Sequence, residues 1–192
     1  MDIYQIIITH NRIGTMREMV CFAIVMVFAG IAGIFLVRQR RISVGQLISG
    51  LLALLFLGIV FGSTVFTRNP GQRKYKLELF WSWKAILGIG QAGANTSPIQ
   101  AHFLIQENLL NMLLLMPLGV LLPFVNGKRT AAWKGLLAGI VVSSTIEVLQ
   151  LLLCRGLFEF DDIIHNSIGC MAGCVIGDLI YRGIQRGWRK RK

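Results

Sequence analysis

Residues 146–166, IEVLQLLLCRGLFEFDDIIHN, place side chains that could do chemistry inside a mostly apolar stretch. Glu147, Asp162 and His165 are candidate catalytic residues, because a carboxylate can act as a general base and a histidine can shuttle a proton near neutral pH. A histidine beside carboxylates could also bind a divalent metal. The chain contains neither HExxH nor GxSxG, however, so we predict no metal and no other cofactor, and whether any reaction is catalysed stays open.

Ligand binding is our leading interpretation of these polar residues. A guanidinium such as that of Arg155 can pair with an anionic group, and side-chain amides can orient a ligand. The candidate ligand-binding residues all carry polar side chains within or beside apolar segments: Asn111, Glu147, Gln150, Arg155, Asp161, Asp162 and Asn166. The sequence therefore predicts a polar pocket that binds a polar headgroup or a related ligand.

Helical spacing would bring several of these side chains onto common faces. Residues three or four positions apart lie next to each other on a helix. Four pairs have this spacing: Glu107 with Asn111, Glu147 with Gln150, Asp161 with His165, and Asp162 with Asn166. We also expect Asp161 and Asp162 to lie in a first helical turn, where exposed backbone amides favour carboxylates.

The elements that must position these residues are apolar segments of membrane-spanning length. Of 192 residues, 54% are hydrophobic and 15% are charged, and one helical crossing of a bilayer needs about 20 apolar residues. Five such segments occur, at about residues 20–37, 44–66, 103–125, 133–154 and 163–181. We predict an all-α integral membrane protein, a bundle of five transmembrane helices forming a single domain over residues 1–192. The first segment could instead be a cleaved signal peptide, and this alternative stays open.

Residues 67–102 form the long connection between the second and third segments. Trp81 and Trp83, mixed with Lys76 and Lys84, are typical of a segment at headgroup depth, with aromatic rings in the interface and basic groups reaching outward. The segment either anchors the chain at the interface or forms a lid over the polar residues. Both interpretations remain open.

The net charge of +11 predicts orientation rather than nucleic-acid binding. The Lys and Arg residues are spread through loops instead of along one soluble face. The side that would hold the C-terminal tail, with Arg189, Lys190, Arg191 and Lys192, is richer in basic residues than the side of Arg12 and Arg17. By the positive-inside rule we predict a cell-membrane location with the N-terminus outside and the C-terminus in the cytoplasm. The polar residues would then lie near the outer boundary.

Carboxylates within the membrane segments need partners. A charged group at the centre of a membrane helix costs about 2.5–3.5 kcal/mol on insertion scales. We therefore expect Glu107 and Glu147 to face polar groups rather than lipid, either as a binding site or as a network that fixes helix packing. A proton relay through these residues would be an alternative, a small transporter, and a chain of five spans without a visible inverted repeat would then have to form a homo-oligomer.

Small residues and prolines predict how the helices pack. Gly169, Gly173 and Gly177 form a stripe at intervals of four that lets another helix approach closely. Pro117 and Pro123 are expected to kink the third helix. The cysteines, Cys21, Cys154, Cys170 and Cys174, show no metal-binding or disulfide spacing and are expected to pack between helices.

Several motifs together resemble the VanZ-like family of bacterial membrane proteins. They are NLLNMLLLMPLGVLLP, STIEVLQ, an arginine in the following loop, and DDIIHNSIGCMAG. The family's recurring pattern corresponds to Asn111, Pro117, Gly119, Glu147, Gln150, Arg155, Asp162, Asn166, Gly169 and Gly173. LELFWSW is similar to the family's outer-loop region but lacks its proline. The resemblance extends over about residues 77–177.

The resemblance implies a multi-spanning protein of the bacterial cell envelope. Through the family's namesake it also implies an association with reduced susceptibility to the glycopeptide antibiotic teicoplanin. It supplies no established reaction. The ligand would be a polar headgroup or a glycopeptide-related molecule, the membrane lipids would be partners, and the alternative remains a membrane enzyme acting on lipid-linked envelope substrates.

Overall fold

The computed structural model describes residues 16–90 and 95–189, and helices dominate this part of the chain. In chain order the elements are α1 (Met16–Arg38), α2 (Val44–Phe61), a π-helical turn (Gly62–Phe66), β1 (Lys74–Lys76), α3 (Trp81–Ile86), α4 (Pro98–Leu114), α5 (Met116–Asn126), α6 (Ala132–Leu152), β2 (Leu157–Glu159) and α7 (Phe160–Arg189). Arg12, the basic residues Lys190, Arg191 and Lys192, and residues 91–94 of the predicted interfacial loop lie outside the described residues.

Five spans in the described part are long and apolar enough to cross a membrane. They are Met16–Arg38, Val44–Phe66, Pro98–Asn126, Ala132–Leu152 and Phe160–Gly187. The prediction of an all-α, multi-pass membrane protein is confirmed. The third and fifth spans are longer than the predicted segments 103–125 and 163–181, because the first turn of each span and the last turns of the fifth are polar.

Local sequence signals explain where the third span begins and where it is interrupted. The Ser97 hydroxyl accepts a hydrogen bond from the Gln100 amide, and the Gln100 side chain accepts one from the Ser97 amide, so that the two residues form a capping box. α4 ends at Leu114 and α5 begins at Met116, with Pro117 in its first turn. Proline is favoured there, because the amide hydrogen it lacks would have no partner within the helix.

α7 lies at the centre of the bundle and packs against α4, α5 and α6. A side chain at Gly169, Gly173 or Gly177 would collide with the backbone carbonyl oxygen of a residue on the facing span, respectively Met112, Met116 and Val120. The stripe therefore permits backbone-to-backbone contact between α7 and the α4–α5 span, as its spacing predicted. On the other side of α7, Gly139 of α6 similarly approaches Ser167.

Connections between the spans gather at two ends of the bundle. One end, which we call the strand end, carries β1, β2 and α3. There β1 and β2 pair in parallel, with Tyr75 opposite Phe158, and the Gly71 amide donates to the Cys154 carbonyl over 2.7 Å. The other end, which we call the basic end, carries residues 39–43, residues 127–131 and the last turns of α7. The structure thus adds a short two-stranded sheet that the sequence did not predict.

An apolar core lies below the strand end. It contains Val60, Val65, Leu115, Leu118, Ile146 and Cys170. The cysteines are free: Cys170 and Cys174 are fully buried between helices, whereas Cys21 is exposed on α1. This core contacts the polar residues above it and gives them a rigid base.

Candidate functional site

A polar cavity of about 410 Å³ opens at the strand end, between α3, α4, β2 and the first turn of α7. Its polar lining consists of Arg68, Ser82, Glu107, Asn108, Asn111, Glu159, Asp161 and Asp162, and its other walls are Trp81, Leu104, Leu110 and Leu157. The lining comes from distant parts of the chain. The fold therefore concentrates side chains that the sequence keeps apart.

Asp161 holds α3 against the top of α7. Its Oδ1 accepts a hydrogen bond from the Phe80 amide over 2.6 Å, and its Oδ2 accepts from the Ser82 amide over 3.2 Å and from the Ser82 hydroxyl over 2.8 Å. Phe80 has a left-handed backbone, with φ of 58°. A bulky residue in this conformation is strained and persists only where its surroundings fix it. Asp161, only 2% exposed, supplies that restraint.

Two amides of α4 complete the wall opposite α3. The Asn108 side chain donates to the Ser82 hydroxyl over 3.2 Å, and the Asn111 side chain donates to Asp162 Oδ1 over 2.6 Å. Asn108 and Asn111 are three residues apart and so lie on one face of α4. The structure thus brings Asn111, Asp161 and Asp162 of the predicted set together around the cavity.

Glu147 lies beneath the cavity and is 2% exposed. Its Oε2 accepts a hydrogen bond from the Glu159 amide over 3.0 Å. The Asp162 carboxylate and the Arg68 guanidinium both lie close enough to act on its charge. Glu147 therefore faces protein groups rather than acyl chains, and it fixes the end of β2 from which Glu159 enters the cavity.

Glu159 has an electrostatically unusual position. Burial raises the pKa of its carboxyl above the ordinary value of 4.5, and the charges of Glu107 and Asp161 add to this effect. The nearby indole N–H of Trp81 and the ammonium of Lys76 oppose it. The indole does not complete a hydrogen bond, and Glu159 Oε1 has no hydrogen-bond partner among the described residues. Lys76 Nζ instead lies 3.0 Å from the centre of the Trp81 ring, in a cation–π contact.

Besides Glu147, three further residues of the predicted binding set lie outside the cavity lining. The Gln150 side chain donates to the Thr64 carbonyl over 3.0 Å, and the Asn166 side chain donates to the Ser143 hydroxyl over 2.9 Å. The Arg155 guanidinium donates to the Phe66 carbonyl over 3.1 Å, which helps satisfy the end of the π-helical turn. The guanidinium that lines the cavity is that of Arg68, not that of Arg155.

His165 is also separated from the cavity. The Trp83 indole donates to His165 Nε2 over 2.8 Å, so the proton of the neutral ring lies on Nδ1. Nδ1 is buried and has no partner among the described residues. Of the three candidate catalytic residues, Asp162 lines the cavity, Glu147 supports it from below, and His165 anchors α3 through Trp83.

The predicted binding set lacks several lining residues, among them Trp81, Ser82, Arg68 and Glu159. Trp81 and Ser82 belong to the segment whose aromatic residues suggested a lid, and α3 does form one wall of the cavity. Arg68 follows the second span directly, so it appeared to be a stop signal for that span. From the sequence, Glu159 appeared to lie in a loop. In the structure it belongs to β2, whose pairing with β1 turns Glu159 toward the cavity, and no local sequence pattern indicates that pairing.

The lining has an excess of negative charge. Glu107, Glu159, Asp161 and Asp162 surround the cavity, and Arg68 is the one cationic group among its described lining residues. Carboxylates can pair with an amine, and a guanidinium can pair with an anionic group. In the described part of the chain, no group of three or more His, Cys, Asp and Glu side chains is arranged to hold a metal ion.

Comparison with known proteins relates the chain to a family. The sequence model of a family described as VanZ/LLP1 matches residues 44–181, a range that includes every residue lining the cavity. No curated protein and no solved structure matches the chain.

Proposed function

Because the chain belongs to the VanZ/LLP1 family, we propose that this multi-pass membrane protein acts in the bacterial cell envelope by binding a polar headgroup or a related ligand at its strand end. The observation that carries the proposal is the cavity of about 410 Å³, in which charged and amide side chains from α4, β2, α7 and the connection that holds Arg68 converge. Ligand sites are commonly concave and have a few converging polar groups between apolar walls.

The proposed ligand carries an amine and an anionic group. Glu107 and Asp162 would attract the amine, and Arg68 would pair with the anion. Asn111 would orient the ligand, since its amide is already fixed by Asp162. Asp161 is engaged by α3 and therefore acts as a positioning residue. Gln150, Arg155 and Asn166 hold the helices together beneath the cavity.

We further propose that occupancy of this cavity changes susceptibility to teicoplanin. The family resemblance supports this role, as does a cavity suited to an envelope ligand that bears both charges. The strand end would face outward, with the N-terminus outside and the C-terminus in the cytoplasm. The arrangement of basic loops supports this orientation.

Glu107→Gln should weaken binding of an amine-bearing phospholipid. Glu107 is exposed to the cavity and makes no hydrogen bond to described residues, so the substitution removes charge without disturbing the fold. Titration of the purified full chain with short-chain phosphatidylethanolamine, followed by tryptophan fluorescence, to which Trp81 of the cavity contributes, should show about tenfold weaker binding, the loss typical of one charged hydrogen bond.

The matched control is Glu78→Gln. Glu78 is an exposed strand-end carboxylate that pairs with Lys84 at 2.8 Å and lies outside the cavity. Its binding should equal that of the wild type. Equal affinity of the wild type and Glu107→Gln would contradict the proposed site. In cells, the wild-type protein should change the inhibitory concentration of teicoplanin, and Glu107→Gln at the same membrane level should not. An equal change with both proteins would refute that part of the proposal.

A further inference from the structure

A second polar cavity lies at the basic end, on the opposite side of the bundle from the first. It has a volume of about 490 Å³ and is lined by Gly127, Arg129, Tyr181, Arg182, Gln185 and Arg186. Three guanidinium groups therefore converge on one concave surface. Nothing in the first cavity or in its proposed ligand requires this arrangement.

Hydrogen bonds fix the framework of this basic cavity. The Tyr181 hydroxyl donates to the Gly127 carbonyl over 2.6 Å and accepts from the Gln185 side chain over 3.2 Å. The Tyr181 ring also makes an edge contact with Phe124, with centroids 5.6 Å apart. These contacts join α7 to the connection between α5 and α6. The cavity wall is thus already formed without a ligand, which lowers the entropic cost of binding.

One of the three arginines is held in place and two are available. Asp178 Oδ1 accepts from the Thr130 amide over 3.0 Å, and its other oxygen pairs with Arg182. Arg129 and Arg186 have no hydrogen bond or ion pair with any described residue. Both are exposed side chains of the cavity lining. They can therefore bind a ligand without first losing a partner.

The carboxylates are unevenly divided between the two ends. Asp178 is the one carboxylate of the basic end among the described residues, and every other described carboxylate belongs to the strand end or the helices that enter it: Glu18, Glu78, Glu107, Glu147, Glu159, Asp161 and Asp162. Asp178 neutralises one of the three guanidinium groups. Asp178 also lies close enough to Arg129 to act on its charge, but one carboxylate among three guanidinium groups leaves the basic cavity with a net positive charge.

We propose that the basic cavity binds the phosphate group of an anionic membrane lipid. Planar guanidinium groups form paired hydrogen bonds with phosphate oxygens, and basic pockets between membrane helices are suited to anionic headgroups. Tyr181 lies six residues before the end of the fifth span at Gly187, close to the depth at which aromatic side chains meet lipid headgroups. A lipid phosphate at that level would reach Arg129 and Arg186 together.

The test compares lipids retained by the full chain purified in mild detergent, with native mass spectrometry as the measurement. The wild type should retain phosphatidylglycerol in preference to phosphatidylcholine. R129Q/R186Q should lose about thirtyfold in affinity for phosphatidylglycerol, because two arginines near an anionic surface are removed. The control R38Q/R41Q removes the same charge from exposed residues of the same end, outside the cavity, and should retain the lipid as the wild type does.

Each remaining outcome would overturn part of the proposal. Equal retention by R129Q/R186Q and the wild type would show that the cavity does not bind the lipid. An equal loss of lipid retention in both double variants would show that the lipid is attracted by the overall positive charge of this end rather than bound at the cavity. Displacement of the lipid by millimolar inorganic phosphate or glycerol phosphate would assign the cavity to a soluble phosphate compound instead of a lipid.

Discussion

At the residue scale, the adjacent carboxylates Asp161 and Asp162 bind different elements. Asp161 accepts hydrogen bonds from α3, whereas Asp162 accepts one from Asn111 of α4. Successive residues of a helix point about 100° apart, so two neighbours in one turn face different elements. The pair therefore joins α3 and α4 to the first turn of α7, and the cavity forms between these attachments.

Glu159→Gln should change how stability depends on pH. Burial raises the folded-state pKa of Glu159 above 4.5, so the folded chain holds this proton at pH values where the unfolded chain has released it. The protonated form contributes stability that is fully present below the unfolded pKa and is lost as pH rises through the folded pKa. Glutamine imitates the protonated form. Thermal unfolding in detergent should show the stability of the variant increasing relative to that of the wild type as the pH rises above 4.5, the ordinary pKa of the carboxyl.

Glu78→Gln provides the comparison, since Glu78 is exposed and lies outside the cavity. Its unfolding midpoint should follow that of the wild type across the same pH range. Parallel curves for Glu159→Gln and the wild type would mean that the Glu159 carboxyl is not significantly desolvated.

The residue types of the site could be predicted from the sequence, but their partners could only be predicted in part. Asn111, Asp161 and Asp162 stood out because polar residues are costly in apolar segments. Arg155 and Arg68 were equally visible, yet the sequence gives no sign that Arg155 turns to the Phe66 carbonyl. Which cation reaches a cavity depends on loop conformation, and no short-range spacing rule determines it.

At the scale of elements, the contact between α7 and the α4–α5 span depends on glycine. Gly173→Ala would place a methyl group against the Met116 carbonyl oxygen, which is backbone and cannot move aside. We expect a loss of about 1–3 kcal/mol in stability, the usual cost of overpacking a tight contact. The thermal unfolding midpoint in detergent measures this loss.

Gly183→Ala is the matched control on the same helix. A Cβ at Gly183 would meet no atom within 4 Å. Alanine is a better helix former than glycine by up to about 1 kcal/mol, so this variant should be as stable as the wild type or more so. Equal destabilisation by both substitutions would show that helix propensity, and not close packing, governs the effect.

The elements differ in how readily the sequence reveals them. Gly169, Gly173 and Gly177 predicted a close helix contact, and Pro117 predicted the interruption near Leu115, because both signals act over one or two turns. The strands β1 and β2 have only three residues each and lie about eighty positions apart in the chain. Their pairing depends on the spans beneath them, and so no local pattern predicted it.

At the scale of the whole molecule, the division of charge predicts one orientation in the membrane. Basic loops are retained in the cytoplasm, so the basic end should lie inside and the strand end outside. A fluorescent protein that folds only in the cytoplasm should become fluorescent when fused after Lys192. In intact cells, with Cys21 and Cys154 replaced by alanine, a membrane-impermeant thiol reagent should label a cysteine introduced at Asn69 but not one introduced at Lys128.

The reverse labelling pattern would mean that the molecule is inserted in the opposite orientation, with the acidic cavity facing the cytoplasm.

The number and length of the spans were predictable from composition, because a bilayer demands a fixed length of apolar helix. The distribution of basic residues predicts direction less directly, since a long connection such as residues 67–97 weighs less in that rule than a short one.

The bond between Asn111 and Asp162 joins residues 51 positions apart, which has a consequence for biosynthesis. A ribosome delivers Glu107, Asn111 and Glu147 to the translocon before Asp161 and Asp162 have been made. Until the last helix is inserted, those polar side chains must therefore be hydrogen-bonded by water or by the insertion machinery. A transcript truncated before codon 160 would yield an orphaned intermediate, a natural substrate for membrane proteases.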